Sequence, residues 1–283
     1  MGAFEMTKRG GAAFDWRDPY YLALAVGWRG FALLFLAAEL GINLLFASLY
    51  LLQAGCVSNL PPGSFSSAFF FSMETLATVG YGVMAPATLY GHVVASAEII
   101  GGVAFTAIMT GLTFVRFSRP RSQLTYAGHA VIARHNGQPT LMLRVANPRD
   151  TPLMEATARL HVLLREVSHE GEVFRRPVEL ALVRAHMPML ALTWTLMHQI
   201  GPDSPLARHT PESMAGEDLR LILSLRMFDP TLGAEVRDMR AYGAESVLFG
   251  TRFVSAVSVD AQGRTIADLG RVGLTEPDLR DAG

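Results

Sequence analysis

A chain of 283 residues, half of them apolar and with a formal net charge of −1, is long enough for a membrane part plus one soluble domain. It has no basic excess of the kind a general nucleic-acid binder needs. Its single cysteine, Cys56, excludes an intrachain disulfide and a thiolate cluster within one chain. The eight histidines fall in no metal-ligand spacing, and no small-residue cleavage site follows the first apolar run, so no secretory signal is expected. Between Gly30 and Val115 there is no Lys or Arg, and the carboxylates are Glu39, Glu74 and Glu98 alone.

In chain order, "FDWRDPYYLALAVGW" mixes Asp15, Arg17 and Asp18 with Trp16, Tyr20 and Tyr21. That pattern predicts a helix in the membrane interface plane within an N-terminal segment 1–27; capping of the next helix is the alternative. Residues 28–52 are long and apolar enough for a first span. Glu39 interrupts it, and a carboxylate at that depth is expected to face protein or water, or to be protonated. "QAGCVSNLPPG" ends the span. Ser64 can then cap an apolar run, 64–77, that is too short to cross and reads as a re-entrant half-helix. Residues 92–117 form a second span with Gly101, Gly102 and Gly111 inside it, where small residues allow close packing or bending. Lys8, Arg9, Arg17 and Arg29 flank the first span on one side and Arg116, Arg119 and Arg121 follow the second, while the loop between has no positive charge. Both termini are therefore expected to be cytoplasmic, in a multi-pass protein.

From Leu124 the texture changes to short alternating runs separated by turn signals, with hairpins expected at Asn136-Gly137 and around Gln262-Gly263. Residues 118–283 thus predict a β-sandwich. No G-x-G-x-x-G follows a strand, which argues against a doubly wound nucleotide-binding domain.

Between the half-helix and the second span stands Thr78-Val79-Gly80-Tyr81-Gly82. Irregular backbone at membrane depth survives only inside protein or along water. Alternating glycines let successive carbonyls point the same way, and four copies around an axis would stack those oxygens into rings that replace the water shell of K+. Thr78 can add its hydroxyl, Val79 and Tyr81 would point into a supporting wall, and the half-helix aims its negative C-terminal end at the pore. A homotetramer is required.

This pore segment resembles that of potassium channels, and the remainder resembles the bacterial inward rectifier (KirBac) family, from "WRDPYY" to "DLGR". Carrying the likeness are "FSRPR", "HAVIARHNGQPTLMLRVANPR", "SHEGE", "MHQIGPDSPL" and "LFGTRF". The resemblance implies a membrane α plus all-β fold: a two-span pore with a re-entrant pore helix, followed by a cytoplasmic immunoglobulin-like β-sandwich that gates it. Glu74 matches the carboxylate behind the filter. In many eukaryotic relatives it pairs with an arginine after the GYG; here Met84 stands there, leaving Thr75, a backbone amide or water as its partner, or a protonated carboxyl, with stabilisation of its own half-helix as the alternative. Gly102 matches the hinge glycine. Thr106, Thr110 and Phe114 share one helical face, and this face is expected to line the cavity, with Phe114 near a hydrophobic constriction; ordinary helix packing is the alternative. Thr106 occupies the place of an acid that attracts blocking Mg2+ or polyamines in strong rectifiers, so weak rectification is implied. Arg116, Arg119, Arg121 and Arg149 resemble the family's site for anionic, phosphoinositide-like lipid head groups, with simple charge anchoring as the alternative. Glu155 matches an acid of the cytoplasmic vestibule. The family's acid-glycine pair in a later pore loop appears as Arg226-Met227.

The expectation is a homotetrameric, potassium-selective channel of the bacterial inner membrane, lipid-regulated and open to block by Ba2+. No cofactor is expected beyond K+ as the permeant ion. No nucleophile, base and orienting group form a recognisable enzyme set. A poorly selective cation pore and a non-conducting, membrane-anchored ligand-binding sandwich are the competing possibilities. His129, His161, His169, His186 and His198 read as ordinary surface or core histidines, although histidine is the side chain poised for a pH response.

Overall fold

Apolar helices with few charged residues, separated by turn-rich segments, make the first part of the chain, and short alternating strands make the second. The computed structural model describes residues 19–118, 120 and 122–278, in two units that divide at residues 119 and 120. The part of the expected interfacial segment before Pro19 lies outside the described residues.

In the first unit, α1 (Pro19–Ala25) is a short helix that buries Ala23 and Leu24 and exposes Tyr20 and Tyr21, the amphipathic pattern of an interfacial helix. The 25 residues of α2 (Trp28–Leu52) are long enough to cross a hydrocarbon core of roughly 30 Å. Leu33, Leu36, Leu40 and Leu45 stay exposed on it, and only Phe31, Asn43, Ala47 and Tyr50 are buried. Strand β1 (Val57–Ser58) follows. Helix α3 (Phe65–Leu76) has 12 residues, about 18 Å, too short to span. Ser64 caps it, accepting from the amide of Ser67 at 3.4 Å. Strand β2 (Ala85–Pro86) pairs antiparallel with β1 and ties down the chain beyond the half-helix. Asn59 adds to this by donating from Nδ2 to the Val83 carbonyl at 2.7 Å.

Helix α4 (Leu89–Phe117) begins three residues before the expected span, because Thr88 caps it by accepting from the Gly91 amide at 3.2 Å. Its buried stripe is Gly91, Val94, Ala95, Glu98 and Gly102, a helical period of small residues with one carboxyl in the middle. The glycines are there for closeness: a Cβ on Gly91 would stand 2.2 Å from the Cys56 carbonyl oxygen, and one on Gly102 would stand 2.3 Å from that of Leu76.

The second unit is a two-sheet sandwich. Its first elements are β3 (Thr125–Tyr126), β4 (Ala130–His135), β5 (Gln138–Ala146), β6 (Leu153–Val167), β7 (Val173–Leu180), β8 (His186–Leu190) and β9 (Thr193–Gln199). After them come helix α5 (Pro211–Gly216) and strands β10 (Arg220–Asp229), β11 (Ala234–Gly243) and β12 (Val247–Phe249). One sheet has the order β11-β10-β6-β7 with β8 on β6; the other has β12-β4-β5-β3 with β9 on β5. Leu141, Leu143, Leu160, Val162, Trp194, Leu196, Leu221, Leu223 and Leu225 fill the space between them. Asn136 and Gly137, at φ +52° and +78°, make the two-residue turn between β4 and β5. Strands β13 (Thr251–Phe253), β14 (Val257–Val259), β15 (Thr265–Ala267) and β16 (Thr275–Pro277) follow. The second expected hairpin, β14–β15, turns through Asp260, which accepts from the Gly263 amide at 3.0 Å.

One expectation is corrected. Arg226 and Met227 lie not in a loop but within β10. Met227 is buried in the core, and Arg226, on the opposite face, pairs with Glu235. The loop of this hairpin comes later, between Asp229 and Ala234.

Candidate ion-conduction site

Helix α3 delivers the chain into Thr78–Gly82. Its last turn continues through the Ala77 amide to the Met73 carbonyl and the Thr78 amide to the Thr75 carbonyl, both at 3.0 Å. The Glu74 carbonyl then accepts from Val79 at 2.8 Å and from Gly80 at 3.4 Å. From there φ alternates in sign: Thr78 +55°, Gly80 +59° and Gly82 +85°, with Val79 and Tyr81 between them at negative φ. Residues of opposite hand in succession turn their carbonyls to one side of the chain, the arrangement from which ion-coordinating rings are built. A β-branched threonine in the left-handed region is a costly conformation, found where surroundings and function demand it. Val79 and Tyr81 are 51% and 74% exposed on the single chain.

Glu74 is half-buried, and its carboxyl has no hydrogen-bond or ion-pair partner among the described residues. Thr75 does not serve it, because its hydroxyl donates to the Phe71 carbonyl at 2.7 Å.

Sequence reasoning missed the strongest polar cluster of the unit. Glu98 is fully buried. Tyr50, on α2, donates to its Oε2 at 2.6 Å, and Ser72, on α3, meets its Oε1. Ser72 Oγ also lies 3.0 Å from Oδ1 of Asn43, whose Nδ2 donates to the Glu39 carbonyl at 2.8 Å. One carboxyl thereby joins α2, α3 and α4. Polar side chains inside otherwise apolar spans were the available signal, but which of them meet depends on how the helices cross.

Thr106, Thr110 and Phe114 are exposed on one side of α4. With Glu39 and Leu76 they line a crevice of about 650 Å³ between α2, the end of α3 and α4. At the C-terminal end of α4, Arg116 donates to the carbonyls of Ala23 and, at 2.8 Å, Val26. Its guanidinium lies 4.9 Å from the Trp28 ring centroid and 4.6 Å from that of Phe31. Arg119 and Arg121 lie outside the described residues.

In the sandwich, Arg149 pairs with Asp229 at 2.6 Å, and Asp229 Oδ1 accepts from the amides of Thr231 and Leu232 at 2.9 and 3.2 Å. Arg116 and Arg149 thus belong to different units, each already engaged by protein groups. Glu155 has φ +51° and sits where the β6–β10 register slips. The bulge turns its carboxylate outward, 2.9 Å from His186 Nε2. The surrounding sheet face forms a depression of about 790 Å³ that also carries Arg159, Arg226, Glu235 and Arg237. Hydrogen bonds from Arg237 and Arg226 hold the Glu235 carboxyl below its usual range. His198 is a core histidine, its ring nitrogens 2.8 Å from the Ala181 carbonyl and 2.7 Å from Ser204 Oγ.

Residues 124–276 match the model of the inward rectifier potassium channel C-terminal domain, and residues 39–119 match an ion channel model. The chain is 33% identical over 271 residues to inward rectifier potassium channel Kirbac3.1 of Paramagnetospirillum magnetotacticum, covering 95% of this chain and 92% of that protein. The chain belongs to the inward rectifier potassium channel family. Membership places it among ion channels and not enzymes, and the two apolar helices make it a membrane protein. More distant relatives of this inward rectifier include the human ATP-sensitive inward rectifier potassium channel 10, 28% identical over 89% of this chain and 72% of that one. ATP-sensitive inward rectifier potassium channel 11 of Cavia porcellus is 30% identical over 92% of this chain and 72% of its own length.

Proposed function

We propose that four copies of this inward rectifier assemble around an axis into a potassium-selective pore, with K+ held between carbonyls of Thr78, Val79, Gly80 and Tyr81 and with Gly82 ending the filter. The alternation of φ from Thr78 to Gly82, at the end of a helix too short to span, carries this assignment. Val79 and Tyr81, exposed on one chain, are surfaces that neighbouring copies would cover. Thr106, Thr110 and Phe114 face the conduction path, with Phe114 as the hydrophobic gate. The uncharged Thr106 makes block by Mg2+ or polyamines weak. Glu155 supplies negative charge to the cytoplasmic vestibule. Anionic lipid head groups regulate opening at Arg116, Arg119, Arg121 and Arg149; at Arg116 they compete with the carbonyls of Ala23 and Val26 and at Arg149 with Asp229. The protein resides in the bacterial inner membrane with both termini cytoplasmic, as its flanking charges favour.

Flux through liposomes reconstituted with the purified chain tests this function. The expected result is K+ flux that exceeds Na+ flux and is blocked by Ba2+. No flux overturns the channel assignment, and equal Na+ flux overturns selectivity. Within the chain a Cβ on Gly80 meets nothing within 4 Å, while its φ is +59°, so Gly80→Ala should abolish selective flux through backbone strain, while D-alanine at the same position, which prefers positive φ, should retain it.

A further inference from the structure

We infer that Glu98 is a positioning residue for the filter, holding α3 to α2 and α4 by acting as both hydrogen-bond donor and acceptor. The hydrogens of the cluster can be counted. Asn43 Nδ2 is committed to the Glu39 carbonyl, so Oδ1 faces Ser72 and can only accept. A serine hydroxyl carries one hydrogen, and it cannot serve both Asn43 Oδ1 and Glu98 Oε1. The contacts close when Ser72 donates to Asn43 and the Glu98 carboxyl supplies the hydrogen between Oε1 and Ser72 Oγ. Oε2 meanwhile accepts from Tyr50 at 2.6 Å. Every polar atom in a site that excludes water then has a partner, which is the condition under which such a cluster holds its members in one arrangement.

The leverage on the filter comes from spacing. Ser72 and Leu76 are one turn apart on α3, and Glu98 and Gly102 are one turn apart on α4. Glu98 meets Ser72, while Gly102 seats the Leu76 carbonyl against α4. The two contacts fix the rotation of α3 about its own axis and the position of its C-terminal end. Glu74 lies between them in the chain, and its carbonyl holds the amides of Val79 and Gly80. Displacing Ser72 therefore moves the first ion-coordinating carbonyls. Glu74, the acid that the family resemblance pointed to, makes no such side-chain contact among the described residues; the bond-bearing acid behind this filter is Glu98.

This inference rests on the assignment of Thr78–Gly82 as the filter, so wild-type K+ over Na+ selectivity in liposomes is measured first; its failure would reject that assignment alone. In a selective wild type, Glu98→Gln is expected to keep the flux ratio, since an amide can donate to Ser72 and accept from Tyr50. Glu98→Leu is expected to lower the ratio roughly three- to tenfold, the effect of losing one or two hydrogen bonds, in protein that still assembles. Ser72→Ala and Tyr50→Phe delete single bonds with little change of volume and carry the test if Glu98→Leu does not fold. An unchanged ratio in assembled Glu98→Leu, or in Ser72→Ala, overturns the positioning role even if thermal stability falls. Loss of selectivity in assembled Glu98→Gln overturns the donor-and-acceptor assignment.

Discussion

Gly102 lies directly under the carbonyl of Leu76: a Cβ there would stand 2.3 Å from the oxygen, so α4 and α3 meet backbone to backbone at the end of the half-helix. The obstacle is main chain and cannot swing away. Gly102→Ala should therefore push α3 and α4 apart, lowering the apparent melting temperature in detergent by the equivalent of about 1–3 kcal/mol and reducing selective flux. Gly101→Ala, beside it but with nothing within 4 Å of its Cβ in the chain, should change thermal stability little. Equal effects at the two positions would count against close packing as the role of Gly102.

Arg149 and Asp229 are a second such pair. Asp229 is almost wholly buried while Arg149 keeps 31% of its side chain exposed, so Arg149→Gln should cost about 1–3 kcal/mol, less than breaking a fully enclosed pair. Asp229→Asn retains the acceptor for Thr231 and Leu232, and the double variant should recover part of the loss in thermal denaturation. That double variant is the proper background for testing lipid response, because it removes the basic charge without leaving a buried carboxylate unpaired.

Arg116 joins the far end of α4 to α1 through the carbonyl of Ala23, to the turn after it through that of Val26, and to the start of α2 through the rings of Trp28 and Phe31. Lysine cannot reproduce a forked donor stacked on aromatic faces. Arg116→Lys should thus speed amide hydrogen exchange across Leu22–Val26 several-fold, with exchange in α3 unchanged. Acceleration spread evenly over both helices would indicate general loosening instead.

Tyr242 sets an alkaline limit on the sandwich. Its hydroxyl donates to the Ala127 carbonyl at 3.1 Å, and burial pushes its pKa up to about 12 from an ordinary value of about 10. The folded form holds this proton more tightly than the unfolded chain does. The contribution is therefore complete below about pH 10 and is lost as pH rises through about 12, an effect on the order of 2–3 kcal/mol. Melting temperature against pH should fall in that window, and Tyr242→Phe should flatten the fall while lowering stability at neutral pH.

Much of this protein is legible without coordinates, for identifiable reasons. Spans show themselves because bilayer thickness dictates apolar length. The half-helix shows because its run is too short for that thickness, and the β4–β5 turn shows because Asn-Gly is the pair that tolerates positive φ twice over. Even the proposed filter is readable, since the chemistry assigned to it belongs to backbone freedom written as alternating glycines. The positive φ of Thr78 is not readable, because the surroundings impose it against the residue's own preference. Nor are the partners of the buried polar groups. Glu39, Glu74 and Glu98 look alike in sequence, three carboxylates in otherwise apolar helical runs. Only the crossing of α2, α3 and α4 decides that Glu98 is enclosed by Tyr50 and Ser72 while Glu39 lines a crevice and Glu74 makes no side-chain bond among the described residues. Likewise, only the sheet register makes Met227 core and Arg226 surface, since a residue's face follows from its strand's pairing and not from its place in a motif. Sequence by itself determined the solvent each segment seeks and the backbone freedom it retains; tertiary structure decided which buried polar groups meet, because those contacts join residues tens of positions apart whose distance depends on packing.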